Sequence, residues 1–402
     1  MRTHKRTSGP LSGVRVVELA AVVAGPTAGQ ILADLGADVI KVEPPGGDAV
    51  RHVGAAKDGV SLWWKFLGRN KRSIAVDLST AGGRDVLLRL VDTADILIES
   101  YRPGTLERWG LAPGTLRERN RELIIARITG YGRRGDRLGQ PAFGTLAEAM
   151  SGFASLNGAA DGPPTLPPVA LADYLTGFAA AIAALAALRA RDAGQAGGQV
   201  AELNLLAPLL AVLNLQIVQC DQTGIAPRRL GSRMVTTAPR NVYATADDRW
   251  IAVSGTTRKT AAQLLRLAGR PDLPARDWFA TGAGRYAHAE ELDRVMADWA
   301  RQHSLAEILG LARAGGATVG PVNEIGDLLD DDQLAANDLI VDIDDPDLGP
   351  VRMPNLLFEL DRTPGAVQWL GEGLGESTED VLGELDLTPE AIAALREAGA
   401  IR

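Results

Sequence analysis

Over the first 130 residues, short β-branched runs alternate with helix-like stretches at regular intervals. Val14-Arg15-Val16-Val17-Glu18-Leu19 reads as a strand, followed by the turn Ala24-Gly25-Pro26 and a helix predicted over 27–35. Asp38-Val39-Ile40-Lys41-Val42-Glu43 reads as a second strand. Ser73-Ile74-Ala75-Val76-Asp77-Leu78 reads as a third, with a helix predicted over 81–91. Asp95-Ile96-Leu97-Ile98-Glu99 and Leu123-Ile124-Ile125-Ala126-Arg127-Ile128 add two more strands. Strands separated by helices imply βαβ units and a mostly parallel, doubly wound α/β sheet.

Beyond this region the period changes. Residues 143–223 carry a helical pattern broken by Gly-rich turns, including an Ala/Leu helix reaching about 191. Residues 226–330 form a separate, smaller α+β pattern with strands at 240–245 and 250–254. An acidic connector at 327–347 then leads to two short terminal helices. The pattern therefore divides into 1–225, 226–330 and 331–402, and 402 residues exceed what one hydrophobic core usually serves.

Composition narrows the class. A net charge of −8 argues against a nucleic-acid binder, which needs a basic surface. It leaves room for an anionic small ligand held by a local positive site. A single cysteine, Cys220, excludes an intramolecular disulfide and a Cys-rich zinc site. The apolar run 178–188 is too short to cross a bilayer, and the basic segment 1–8 lacks the apolar core of a secretory signal. A cytoplasmic protein with no membrane partner is expected.

Several signatures are missing. There is no G-x-x-x-x-G-K-[ST] loop and no G-x-G-x-x-G after the first strand, so neither an ATPase nor a conventional dinucleotide enzyme is expected. The Asp342–Asp347 stretch lacks the Glu that would close a calcium loop, where Met353 stands, and four histidines offer no metal set. Positive charge is grouped instead. Lys65, Arg69, Lys71 and Arg72 precede the third strand, and Arg102 and Arg108 follow the fourth. Such a group in an acidic chain points to an anionic ligand, and loops beyond the carboxyl ends of parallel strands are where open α/β sheets bind ligands.

Asp173 is the chemically distinctive residue. It is a lone carboxylate between the Pro-punctuated approach Pro168-Val169-Ala170-Leu171-Ala172 and the long Ala/Leu helix. It either caps that helix, as Asp often does, or acts as a nucleophile.

These residues resemble family III CoA-transferases, the group of the formyl-CoA and carnitine CoA-transferases. The likeness runs through Leu11-Ser12-Gly13-Val14 to Leu19, Ala24-Gly25-Pro26, the stretch from Leu32 to Glu43 and Asn70-Lys71-Arg72-Ser73. It continues with Arg102-Pro103-Gly104, Gly130-Tyr131-Gly132, Ala172-Asp173, Gly320-Pro321-Val322-Asn323 and Leu374-Gly375-Glu376-Ser377-Thr378. The resemblance implies a Rossmann-like large domain built from both chain ends and a small domain, with two ring-shaped monomers interlocked as a homodimer. It implies an acyl-CoA donor and a carboxylic acid acceptor, with CoA as substrate and no resident cofactor or metal. Asp173 would be the nucleophile, carrying first an acyl anhydride and then a CoA thioester. Lys71, Arg72, Arg108 and, more remotely, Arg102 would face the CoA phosphates. Val22, Val23 and Ala24 would line the thiol arm, and Tyr131 the reacting end.

Departures bear on substrate. Val23 and Pro44 stand where formyl-CoA transferases carry Gln and Arg, and Leu230-Gly231-Ser232-Arg233 replaces a glycine-only loop. A larger or more apolar acyl group than formyl or oxalyl is expected. The alternatives are an α-methylacyl-CoA racemase, which shares the fold but needs a histidine base where Ala142-Phe143-Gly144-Thr145-Leu146 stands, and an inactive acyl-CoA-binding homologue.

Overall fold

The computed structural model describes residues 9–402, so the basic segment 1–8 lies outside the described residues. Two compact units are present. The first takes the chain up to Ala154, Leu166–Ala226 and Ala336–Arg402; the second takes Ser155–Thr165 and Pro227–Ala335. The excursion at 155–165, which the sequence pattern leaves with the first unit, joins the second because Arg229 donates to the carbonyls of Ser155, Ala159 and Gly162.

The first unit is built on six parallel strands: β1 (Arg15–Glu18), β2 (Asp38–Glu43), β3 (Lys71–Ala75), β4 (Ile96–Glu99), β5 (Ile124–Thr129) and β6 (Val200–Asn204). Their order is β3-β2-β1-β4-β5-β6, the doubly wound arrangement whose switch point lies between β1 and β4. The third strand begins two residues earlier than its β-branched run, because Lys71 and Arg72 pair with Val39 and Ile40. The sixth strand falls in a region with a helical pattern. It is a short, half-exposed edge strand, so it lacks the apolar run that marks the others.

Alternate residues of each strand feed two cores. Val16, Val39, Ile96, Ile98, Ile124 and Ala126 pack under α1 (Ala24–Asp34). Val17, Ile40, Ile74, Leu97 and Ile125 pack under Ala81–Thr93 and the terminal helices Thr378–Glu384 and Pro389–Glu397. Asp77 N–H to Ala400 O and Arg402 N–H to Ala75 O fix the chain end beside β3, so both chain ends build one unit.

After α1 come α2 (Leu62–Leu67), α3 (Ala81–Thr93), α4 (Gly144–Met150) and α5 (Leu171–Asp192). By length and composition α5 would pass for a membrane span. Its small residues Ala172, Thr176, Gly177, Ala180 and Ala184 are instead buried, packed in the core over α1. Gly177 is required there, since a Cβ would lie 2.7 Å from Ala24 O and 2.6 Å from Thr27 Cβ. That contact brings the first turns of α1 and α5 together.

The second unit is a three-stranded antiparallel sheet, β7 (Arg240–Ala244), β8 (Trp250–Ser254) and β9 (Val319–Pro321), in the order β9-β8-β7. Tyr243, Ile251 and Val253 face helices Arg258–Leu267, Ala289–Ala300 and Leu305–Gly315, making a separate core.

Candidate active site

The segments that follow the carboxyl ends of β1 and β5 bring the Val22–Ala24 turn and Gly144 to the first turn of α5. Asp173 is not the helix cap. Ala170 holds that position and Asp173 is the third residue of α5, in the first turn, where the unpaired N–H groups favour negative charge. The Gly144 N–H at the start of α4 also donates to its carboxylate. A Cβ on Gly144 would sit 2.0 Å from Asp173 Oδ2, so only glycine permits this approach. Gly144→Ala is therefore expected to displace the carboxylate and lower turnover at least a hundredfold, with the thermal midpoint little changed; comparing kcat with a melting curve checks this.

Burial pushes the Asp173 pKa up to about 6, with the charge of Glu148 adding to the rise and the backbone N–H groups opposing it. At pH 7 about nine-tenths of such a group is ionised. It is also more basic, and so more nucleophilic, than an exposed carboxylate. Glu148 lies one helical turn beyond Gly144, is 2% exposed, and accepts from the Ala172 N–H at 3.1 Å. Nothing in the local sequence around Glu148 marks it as part of the site, except that the i, i+4 spacing of Gly144 and Glu148 puts both on one side of α4.

The turn between β1 and α1 is held from beneath by buried ions. Lys41 bonds Asp48 at 2.7 Å and Glu18 at 3.0 Å, and also caps the Ala20 carbonyl. Burial works against charge at Lys41, but Glu18 and Asp48 outweigh it and hold the ammonium above its usual range. Asp48 accepts from the Val22 N–H at 3.1 Å. Val22 itself has φ +68°, a strained conformation for a β-branched residue that the surrounding bonds must enforce. Val22 and buried Val23 pack with the cap residue Ala170 and with Tyr174 of α5, and with Trp63 and Phe66 from α2. Val22, Val23 and Ala24 are thus brought beside the Asp173 turn.

Tyr131 is brought to the same side. Gly130 packs against Ala142 so tightly that a Cβ would meet that of Ala142 at 2.1 Å, and the Tyr131 hydroxyl reaches Pro141 O at 3.5 Å. After β4, Arg102 is exposed on the loop and Arg108 at the end of the short helix Thr105–Arg108 that follows. Arg108 donates only to Thr105 Oγ1, at 3.1 Å, and no carboxylate pairs with either guanidinium among the described residues.

Two of the predicted phosphate ligands are placed elsewhere. Lys71 is 2% exposed, bonded to Glu18 at 2.7 Å and to Pro26 O at 2.7 Å, with burial drawing its pKa below the ordinary lysine range. Arg72 lies at the amino ends of the strands, the edge opposite the Val22 turn, where it is chelated by Asp38 and Glu384. Their neighbours are committed too, Lys65 to Asp345 and Asp347 and Arg69 to Asp34. Lys65, Arg69 and Arg72 join the returning carboxyl-terminal segment to the amino-terminal half, through Asp345 and Asp347, the Pro354 carbonyl and Glu384, while Lys71 pairs within the amino-terminal half. No grouping of His, Cys, Asp or Glu fit to hold a metal occurs among the described residues.

The fold and site define an α/β protein with a half-buried, partly desolvated carboxylate in the first turn of α5. Comparison with known proteins identifies its family. The model of CoA-transferase family III matches residues 11–378. The succinyl-CoA–D-citramalate CoA-transferase of Chloroflexus aurantiacus is 37% identical over 398 residues, 98% of each chain. The succinate–glutarate CoA-transferase of Agrobacterium fabrum is 36% identical, covering 94% of this chain and 96% of that one. The crystal structure of a CAIB/BAIF family protein from Brucella suis superposes with a TM-score of 0.83 at 31% identity, covering 94% of this chain and 100% of that one. The chain belongs to CoA-transferase family III and is a CoA-transferase.

Proposed function

We propose that the enzyme moves CoA from succinyl-CoA to a second small carboxylic acid through covalent adducts on Asp173. The observation that carries this reading is the placement of the Asp173 carboxylate. It is held by the Gly144 N–H in the first turn of α5, partly desolvated, and close to the Val22–Ala24 turn.

The ionised Oδ attacks the thioester carbonyl and expels CoA thiolate, leaving a mixed anhydride. The thiolate attacks Cγ of Asp173, releases the donor acid and forms an aspartyl-CoA thioester. The acceptor carboxylate attacks the same Cγ and expels the thiolate, giving a second anhydride. Thiolate attack on its acyl carbonyl then releases the new acyl-CoA and restores Asp173. Each step exchanges groups of similar energy, so no nucleotide is consumed.

Arg102 and Arg108 are the cations proposed to meet the CoA phosphates, with Val22, Val23 and Ala24 along the thiol arm and Tyr131 at the reacting end. The names of the Chloroflexus and Agrobacterium relatives favour a four- to five-carbon acyl group, and the apolar first turn at Val22 and Val23 is consistent with a group larger than formyl. Incubation with succinyl-CoA and a panel of acids, read as new CoA esters by mass, tests the assignment. Formation of no ester from any acid would contradict it.

Because the ionised carboxylate is the reactive form and its pKa is about 6, kcat is expected to rise with pH and level off above about 7. A half-maximum near pH 4 would show that Asp173 is not desolvated as described.

An interlocked homodimer is part of the proposal. The helix α6 (Asn214–Thr223) has no buried residue, and Leu215, Ile217 and Val218 are exposed along with Val212 and Ile225. An apolar surface of this kind marks an interface. Light scattering is expected to give twice the chain mass, and a monomeric mass would refute it.

A further inference from the structure

Tyr174, next to the nucleophile, carries a proton that the protein does not use. The Trp63 Nε1–H lies 3.1 Å from the Tyr174 hydroxyl. An indole N–H can only donate, so the phenol oxygen must accept there and its own O–H points away from Trp63. No acceptor for that proton occurs among the described residues.

The pair is held firmly. Ser61 caps α2 by accepting from the Trp64 N–H at 3.2 Å while donating to Val50 O at 2.8 Å. The Trp64 indole donates to Glu372 O at 2.8 Å, and the Arg51 guanidinium lies 3.6 Å over the Trp64 ring. These bonds fix α2 and with it the adjacent Trp63. On the other side, the half-buried Tyr174 ring packs with Val22, Val23 and Ala170. A single directed donor among the apolar side chains Val22, Val23, Phe66 and Ala170 has the form of a specificity contact, since apolar surface binds the chain while one polar group selects it. A site built to hydrogen-bond an oxygen discriminates strongly against an analogue that lacks it.

Resting on the functional reading above, we infer that Tyr174, oriented by Trp63, is a specificity-determining residue that donates to an oxygen of the acceptor acid beyond its reacting carboxyl group, so that the enzyme selects dicarboxylic over monocarboxylic acids of equal length.

The test uses the full-length enzyme with succinyl-CoA as donor and glutarate or pentanoate as acceptor. Wild-type enzyme is expected to prefer glutarate in kcat/KM. Tyr174→Phe is expected to shrink the glutarate-to-pentanoate ratio about tenfold or more, mainly through the KM for glutarate. Trp63→Phe, which leaves the phenol free to turn, is expected to move the ratio the same way by a smaller factor. Melting curves confirm that both variants fold. A ratio unchanged in Tyr174→Phe, or equal losses with both acids, overturns the assignment while leaving CoA transfer intact. Wild-type enzyme that esterifies neither acid overturns the functional reading, and this inference with it.

Discussion

Replacing Asp173 by Asn is expected to lower CoA transfer by at least a thousandfold while making the protein more stable at neutral pH. The kinetic loss follows from the role proposed for the carboxylate. An amide cannot attack the thioester to form a mixed anhydride, and Glu148, the neighbouring carboxylate, is turned to the Ala172 N–H. CoA-ester affinity should survive, because the cations proposed to hold it lie beyond β4.

The gain in stability follows from burial of charge. Folding raises the Asp173 pKa from 3.8 to about 6, so the native state binds the extra proton between those values. Below the lower value both states are neutral and nothing is lost. As pH rises through the window, keeping the charge in the folded protein costs progressively more, up to about 3 kcal/mol above it. Asp173→Asn removes this cost, so its melting temperature should exceed that of the wild type by a few degrees at pH 7.5 and by much less at pH 5. A group that destabilises the fold in its working ionisation state is expected of a catalytic residue, where stability is exchanged for reactivity. A variant that is less stable than wild type at pH 7.5 would contradict the desolvation described here.

The second large effect concerns Lys71. If it met the CoA phosphates, as the family resemblance implies, Lys71→Met would raise KM for the CoA ester and leave the fold intact. The structure leads to the opposite expectation. Glu18 is fully buried and shared between Lys71 and Lys41, and removing one partner of a buried ion pair typically costs about 3–5 kcal/mol. Lys71→Met should therefore lower the melting temperature by more than about 5 °C. Arg108→Ala should do the reverse, leaving the melting temperature unchanged while raising KM roughly tenfold. Thermal melts and steady-state kinetics on the same two preparations separate these roles. A Lys71→Met enzyme with a normal melting temperature and a raised KM would restore the sequence-based view.

Lys71 also illustrates which parts of this protein are legible in its sequence. Five of the six parallel strands are marked by β-branched runs such as Asp95–Glu99 and Leu123–Ile128, because central parallel strands are buried on both faces. The edge strand Val200–Asn204 carries no such run and is hidden in a helical pattern. Asp173 stands out because a carboxylate interrupts an apolar approach to an apolar helix. Its place inside the first turn rather than at the cap depends on Gly144 and Glu148, more than twenty residues away. The partners of Lys65, Arg69, Lys71 and Arg72 are hidden for a similar reason. A charge run shows where positive charge lies, but not that Lys65 will find Asp345 or that Arg72 will find Glu384. Those partners lie some three hundred residues downstream and are brought close only when the carboxyl-terminal segment returns to the first unit. What the sequence does expose locally, such as Arg102 and Arg108 beyond β4, stays exposed in the fold, with no carboxylate partner among the described residues.

The most direct measurement is capture of the adduct itself. Enzyme incubated with succinyl-CoA alone, quenched with hydroxylamine and digested, should yield a hydroxamate on the peptide containing Asp173, and none after the same treatment of Asp173→Asn. A wild-type enzyme that transfers CoA at full rate yet leaves the Asp173 peptide unmodified, or that is modified at another carboxylate, would contradict the account.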